Sequence, residues 1–235
     1  MSAKIAVIIQ ARMSSQRLPG KVLRAINGKP LLDYLLESAS KCEGIAQTIV
    51  ATSEHQEDDA IEAFSVERNI PCFRGELDNV ANRLLRAAKE GDFNHFVRVN
   101  GDSPLLDYRL INHACELLKK GAPDVVTNVH PRTFPKGQSV ELIRTAALSC
   151  ALQETADPSD LEHVTPYFYR NASRFRIENF KCEVPLNHLN YCVDTMPDFE
   201  RINGIVEAMR LDHCDYTYKE LAGLQCARQT PERRQ

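Results

Sequence analysis

Near its start the chain runs through Ile5-Ala6-Val7-Ile8-Ile9 without a polar side chain. A strand with one face in water alternates apolar and polar residues, so this run suits a strand covered on both faces, as in a parallel sheet between helices. The pattern that follows repeats the theme. Thr48 to Thr52, Cys72 to Phe73, His95 to Val99 and Asp124 to Asn128 read as further strands, while apolar residues at helical spacing fill Pro30 to Cys42, Asp58 to Arg68, Asn79 to Lys89 and Tyr108 to Lys120. Pro30 stands early in its helix, where its missing N–H costs little. Alternating β and α segments predict an α/β fold: a mostly parallel sheet with helices on both faces.

From Val129 the rhythm changes. Pro131, Pro135, Pro158, Pro166 and Pro185, clustered aromatics and short strands such as Phe175 to Phe180 suggest an inserted lobe over about 130–188. The sheet is predicted to resume at Leu189 to Val193, ahead of a helix from Pro197 to Met209. One α/β domain with that insertion then accounts for residues 1–228, and 229–235 form a polar tail.

A formal charge of −3 leaves no excess of positive charge for neutralising a long phosphate backbone, so extended nucleic acid is not an expected partner. The eight cysteines never fall two or four residues apart, which removes the spacing of a structural zinc site and leaves them as small, buried, reduced residues. The apolar run after Lys4 is too short for a signal peptide or a membrane span. A cytoplasmic protein is the expectation.

In a sheet of this kind ligands sit beyond the carboxyl ends of the strands. The segment after the first strand, Gln10-Ala11-Arg12-Met13-Ser14-Ser15-Gln16-Arg17-Leu18-Pro19-Gly20-Lys21, carries three fixed positive charges, which suit phosphate oxygens. It matches neither G-x-x-x-x-G-K-[ST] nor G-x-G-x-x-G. Asn100-Gly101-Asp102 ends another strand, and Asp194-Thr195 follows the segment expected to be the last one. Mg²⁺ takes one or two carboxylates plus phosphates and water, so Asp102 and Asp194 facing a triphosphate on Arg12, Arg17 and Lys21 would form a coherent site. The alternatives are that Asp194 caps the next helix and Asp102 only forms a turn.

Seven segments in order, Q-A-R-M-S-S-Q-R-L-P-G-K-V-L, I-V-A-T-S, C-F-R-G-E-L-D-N-V, G-D-S-P-L-L-D, R-T-F-P-K-G, D-P-S-D-L-E-H-V-T-P-Y and V-D-T, closely resemble the cytidylyltransferases of the acylneuraminate superfamily. The nearest branch is the spore-coat polysaccharide type. The 3-deoxy-manno-octulosonate enzymes are more distant. The resemblance implies a Rossmann-like sheet of the nucleotide-diphospho-sugar transferase type, with the inserted lobe serving dimerisation and substrate. It also implies transfer of CMP from CTP to an acidic or amino sugar, of the 2-keto-3-deoxy acid kind, with release of pyrophosphate for a surface polysaccharide.

Carried onto this chain, the resemblance puts the phosphates of CTP on Arg12, Arg17 and Lys21, with Arg12 and Lys21 stabilising charge in the reaction. It puts Mg²⁺ on Asp102 and Asp194, and the cytidine on Ala11, Arg74, Gly75 and Asn100. Arg132, Lys136, Gln138, Glu141, His163 and Tyr167 would meet the sugar acceptor, and the proline-rich lobe would form a homodimer. The nearest branch usually has an acid where this chain has Ser139, while Lys136-Gly137-Gln138 is similar to the octulosonate enzymes.

Two other functions compete. A glycosyltransferase using a nucleotide sugar normally carries an Asp-x-Asp metal motif, whereas Ser103-Pro104 follows Asp102. A nucleotide-binding protein without turnover would have little use for three basic residues facing two acids.

Overall fold

The computed structural model describes residues 3–229. Strand β1 (Ile5–Gln10) lies between β4 (Ile45–Ser53) and β6 (His95–Asn100), with β5 (Cys72–Gly75) beyond β4, and all these pairings are parallel. A small hairpin, β2 (Ala25–Ile26) with β3 (Lys29–Pro30), precedes the first helix. On the other side of β6 come β8 (Glu141–Arg144), β7 (Val125–Thr127) and β9 (Ile177–Asn179). The seven-stranded order is β5-β4-β1-β6-β8-β7-β9, and β8 alone runs against its neighbours. The predicted mostly parallel sheet flanked by helices is thus present.

β1 explains the layers. Ile5, Val7 and Ile9 point into one core with α1 (Leu31–Ser40), α2 (Asp59–Glu67) and α4 (Tyr108–Gly121). Ala6 and Ile8 point into the other, against α3 (Val80–Glu90), α5 (Thr145–Glu154) and the short α7 (Pro166–Arg170). Each fully buried Ile contributes roughly 2 kcal/mol by leaving water, so a strand apolar on both faces is held between both helix layers. α6 (Pro158–His163) precedes α7, and each has proline in its first turn, where no intrahelical bond is lost. α8 (Met196–Glu207) and α9 (Tyr218–Gln229) close a third core with Leu31 and Tyr34 of α1.

The expected strand Leu189 to Val193 does not enter the sheet. β8, which the sequence reading missed, already occupies the edge beside β6. The segment makes one parallel bridge, Lys136 with Asn190, and buries Leu189, Tyr191 and Val193 in the third core. Its alternating pattern is genuine but serves a different surface. Residues 130–188 are also woven into the sheet, since β8 and β9 come from this stretch. The tail beyond Gln229 lies outside the described residues.

Gly137 is what lets the 189–194 segment lie where it does. Its φ is +89°, and a Cβ there would sit 2.7 Å from the carbonyl carbon of Tyr191. Gly137→Ala is expected to cost about 2 kcal/mol or more, through both backbone strain and that clash, read as a lower melting temperature.

Burial pushes the thiol of Cys115 up to about 11 and those of Cys42 and Cys192 up to about 12, so these side chains behave as small apolar residues. Among the described residues no helix is long and apolar enough to cross a membrane.

Candidate active site

The carboxyl ends of β1 and β6 open into a cavity of about 480 Å³. Gln10 and Asn100 stand opposite each other in register there, and the Gly101 N–H donates to the Gln10 carbonyl at 2.8 Å. A Cβ on Gly101 would lie 2.9 Å from that oxygen, so only glycine lets the two strand ends close up.

The basic loop is tied down at both ends. The Ser15 and Gly20 N–H groups both donate to the Met13 carbonyl at 2.9 Å, folding the loop on itself. The Met13 N–H donates to Asp58 Oδ1 at 2.6 Å, and Asp58 Oδ2 accepts from the Ser53 N–H at the end of β4. Asp58 is 1% exposed, and it clamps the loop to the sheet. Nothing in the sequence reading singled it out.

Lys21 opens a 3₁₀ turn over Lys21–Leu23 and is 8% exposed. Its Nζ donates to Asp102 Oδ2 at 3.0 Å and to Asp194 Oδ1 at 2.8 Å. Burial works against its charge, but the two carboxylates outweigh it and hold the pKa above the ordinary lysine value. Arg17 Nη2 stands 3.1 Å from Asp194 Oδ2, and Arg12 Nη2 stands 3.5 Å from Glu162 Oε1. Each basic residue of the loop therefore faces a carboxylate from another part of the chain.

The position of Asp194 follows from its neighbours. The Val193 N–H donates to the Asp102 carbonyl at 2.8 Å, joining the two acidic segments. Helix α8 is capped by Thr195, in a reciprocal box with Asp198, so Asp194 is not consumed as a cap. Around Asp102 the turn is made by the backbone, from the Ser103 N–H to the Asn100 carbonyl, leaving the carboxylate to Lys21 and the Ser103 hydroxyl.

Of the residues predicted from sequence, Ala11, Arg12, Arg17, Lys21, Asn100, Asp102, His163 and Asp194 line this one cavity. The others do not. Arg74 is spent on Asp59 at 2.6 Å, Glu62 at 2.7 Å and the carbonyls of Ser53 and His55, bracing β5 against α2. Gly75 packs against Arg83, whose Cγ would be 3.1 Å from a Cβ there. Gln138 is fully buried, donating to the Leu105 carbonyl at 2.6 Å and accepting from the Asp107 N–H at 2.9 Å. Glu141 accepts from Arg98, Thr165 and Tyr169. Tyr167 donates to Glu154 at 2.6 Å, and Arg132 donates to the Ser139 hydroxyl at 3.0 Å. Lys136 is exposed, with its main chain pairing to Leu189 and Tyr191.

Among the further residues that reach the cavity are Gln10, Arg83, Arg98 and Glu162. Arg98 donates from Nε to Gln10 at 2.9 Å and from Nη1 to Glu141 at 2.8 Å and the His163 carbonyl at 2.9 Å, so it fixes α6 over the sheet. The available signal was a lone arginine inside the apolar strand pattern of β6 and another on the apolar face of α3.

Fixed positive charge and facing carboxylates at the carboxyl ends of parallel strands mark an α/β protein that handles phosphorylated ligands. Comparison with known proteins narrows this to one family. The family model described as cytidylyltransferase matches residues 6–220, and the chain belongs to that family. The Bacillus subtilis spore coat polysaccharide biosynthesis protein SpsF is 27% identical over 222 residues, 86% of each chain. An 8-amino-3,8-dideoxy-manno-octulosonate cytidylyltransferase from Shewanella woodyi is 29% identical over 169 residues, 71% of this chain and 61% of that one. The solved structure of a cytidylyltransferase from Leptospira borgpetersenii matches with a TM-score of 0.92 at 26% identity, covering 100% of this chain and 98% of that one.

Proposed function

We propose that the protein transfers CMP from CTP to a hydroxyl of an acidic or amino sugar of the 2-keto-3-deoxy acid type, releasing pyrophosphate, in the synthesis of a surface polysaccharide. The observation that carries the reading is the meeting of Asp102 and Asp194 on the Lys21 ammonium, with Arg17 and Arg12 alongside. The names of the Bacillus and Shewanella relatives support the sugar and the pathway. A homodimer, as the resemblance implies, belongs to the same proposal.

The attacking sugar oxygen forms a bond to the α-phosphorus while the bond to the bridging oxygen breaks, and that oxygen leaves with pyrophosphate. Arg12, Arg17 and Lys21 would hold the phosphates in line and neutralise the charge that collects on the leaving group. The two carboxylates form an all-oxygen donor set that already holds one cation, which fits Mg²⁺ completed by phosphate and water. Bound on Asp102 and Asp194, Mg²⁺ would supply charge neutralisation and a lower pKa for the attacking hydroxyl. The linkage of Val193 to the Asp102 carbonyl keeps both acids in one place while this happens.

The test is pyrophosphate release from each of the four nucleoside triphosphates with Mg²⁺ and a panel of 3-deoxy-2-keto sugar acids and their amino derivatives. Release with CTP and one acceptor, abolished by chelation, is the expected result. Absence of any CTP binding by calorimetry would overturn the reading.

A further inference from the structure

Away from the cavity, the 3₁₀ turn His213–Asp215 between α8 and α9 gathers a different set of metal-binding side chains. Asp212, His213 and Cys214 offer ligand atoms within 4.8 Å of one another. His213 is 8% exposed, and its ring packs edge-on to Tyr34 of α1, with ring centroids 4.8 Å apart. Its Nε2 lies 3.0 Å from the Tyr34 carbonyl, an oxygen that can only accept, so Nε2 carries a proton and donates it. That fixes what the other side of the ring can do. Nδ1 faces Asp212 Oδ1 at 3.3 Å and, from α1, Glu37 Oε2 at 3.5 Å.

A neutral imidazole in this tautomer points a lone pair at two carboxylate oxygens, and three electron-rich atoms this close need a cation among them. The spacing suits a metal ion. Bonds of about 2.1 Å to a tetrahedral ion hold its ligands about 3.4 Å apart, and Nδ1 stands 3.3 Å and 3.5 Å from the two oxygens. Support behind the ligands is in place as well. A metal-bound histidine characteristically donates its other N–H to a carbonyl or carboxylate, as Nε2 does to Tyr34. The Cys214 N–H donates to Asp212 Oδ1 at 2.9 Å and steadies that carboxylate, while the Cys214 thiol sits on the Nε2 side, 3.3 Å from that nitrogen, and so outside the donor set. Lys29 is the rival cation. Its Nζ donates to Glu37 Oε2 at 2.6 Å, but one ammonium against two carboxylates leaves the cluster with a net negative charge.

We infer that His213 Nδ1, Asp212 and Glu37 form a Zn²⁺ site that pins the turn before α9 to α1, with water completing the coordination. One nitrogen among oxygens favours zinc over Mg²⁺, which takes oxygen ligands. Asp212 and Glu37 have side chains 57% and 43% exposed, so an ion can enter from solvent. Tyr34 packs with Leu31, Ile202 and Leu221 in the third core, so the pin would hold α1 against the helices that close the chain. The inference is independent of the CTP reading, since none of the three ligands lines the cavity at the ends of β1 and β6.

The experiment is calorimetric titration of Zn²⁺ into nucleotide-free protein with excess Mg²⁺ present, for the parent, Asp212→Asn, Glu37→Gln and Asp102→Asn, with melting curves recorded with and without zinc. Asparagine at 212 can still accept from the Cys214 N–H, and the metal-free melting curves check that each variant is folded. The parent is expected to bind one Zn²⁺ and to melt roughly 5–10 °C higher when free zinc is about 100 times Kd. Asp212→Asn and Glu37→Gln should each weaken binding by on the order of 100-fold, and Asp102→Asn should leave it within about 3-fold. A parent that binds no zinc would overturn the inference, the cluster then being held by a proton on the ring. So would binding that Asp212→Asn and Glu37→Gln leave unchanged, or that Asp102→Asn abolishes, which would put the ion on the carboxylates of the cavity.

Discussion

Asp102→Asn and Asp194→Asn, made separately, are expected to slow CTP-dependent pyrophosphate release by on the order of 100- to 1,000-fold. Asparagine keeps the shape of aspartate and an oxygen that can accept from Lys21, so the fold is retained while one negative charge is lost. The two variants are not equivalent. Asp102 faces Lys21 alone among the basic residues, whereas Asp194 faces both Lys21 and Arg17. Asp194→Asn therefore releases two cations, and CTP binding measured without metal is expected to tighten more in Asp194→Asn than in Asp102→Asn. Groups that act as one unit are not additive, so the double variant is expected to be little slower than either single one. Turnover near the parent rate in either variant, with the melting temperature unchanged, would show that the carboxylates do not serve the reaction.

The sequence made the two acids visible for a reason that turned out half right. β1, β4 and β6 were legible because strands buried on both faces carry apolar runs, and their carboxyl ends placed the basic loop and Asp102 correctly. Asp194 was found through a strand that the sheet does not contain. Leu189, Tyr191 and Val193 do alternate with polar residues, but they pack on α8 and α1 rather than beside β6. β8 escaped notice because it is four residues long and begins with Glu141, a charge that looks exposed until Arg98, Thr165 and Tyr169 are brought to it from elsewhere in the chain. Arg83 was hidden in the same way: propensity favours arginine on any helix, and only the burial of its neighbours Val80, Leu84 and Ala87 shows that this one faces inward. Gln138 erred in the opposite direction, since a polar residue in a motif shared with relatives proved to be holding the backbone of Leu105 and Asp107.

Lys21→Met is expected to move metal binding and turnover in opposite directions. In the protein alone the Lys21 ammonium stands 3.0 Å and 2.8 Å from the carboxylates proposed to hold the divalent ion, so a metal arriving without nucleotide must compete with a tethered positive charge. Two unit charges about 4 Å apart interact by about 4 kcal/mol near a protein surface, enough to make that competition decisive. Removing the ammonium should tighten Mn²⁺ binding in the absence of nucleotide by on the order of 10- to 100-fold, as read by paramagnetic resonance. Pyrophosphate release should fall by on the order of 100-fold or more, because the same ammonium is then missing from the phosphates. A damaged fold would depress both quantities together, so the opposed signs isolate the role of the side chain. When the triphosphate is present it offers Lys21 another anionic partner, and the two carboxylates become available at the moment the phosphates arrive. Mn²⁺ affinity that stays level or falls in Lys21→Met would mean that the ammonium does not hold the metal's place, and the cation and nucleotide would then bind independently.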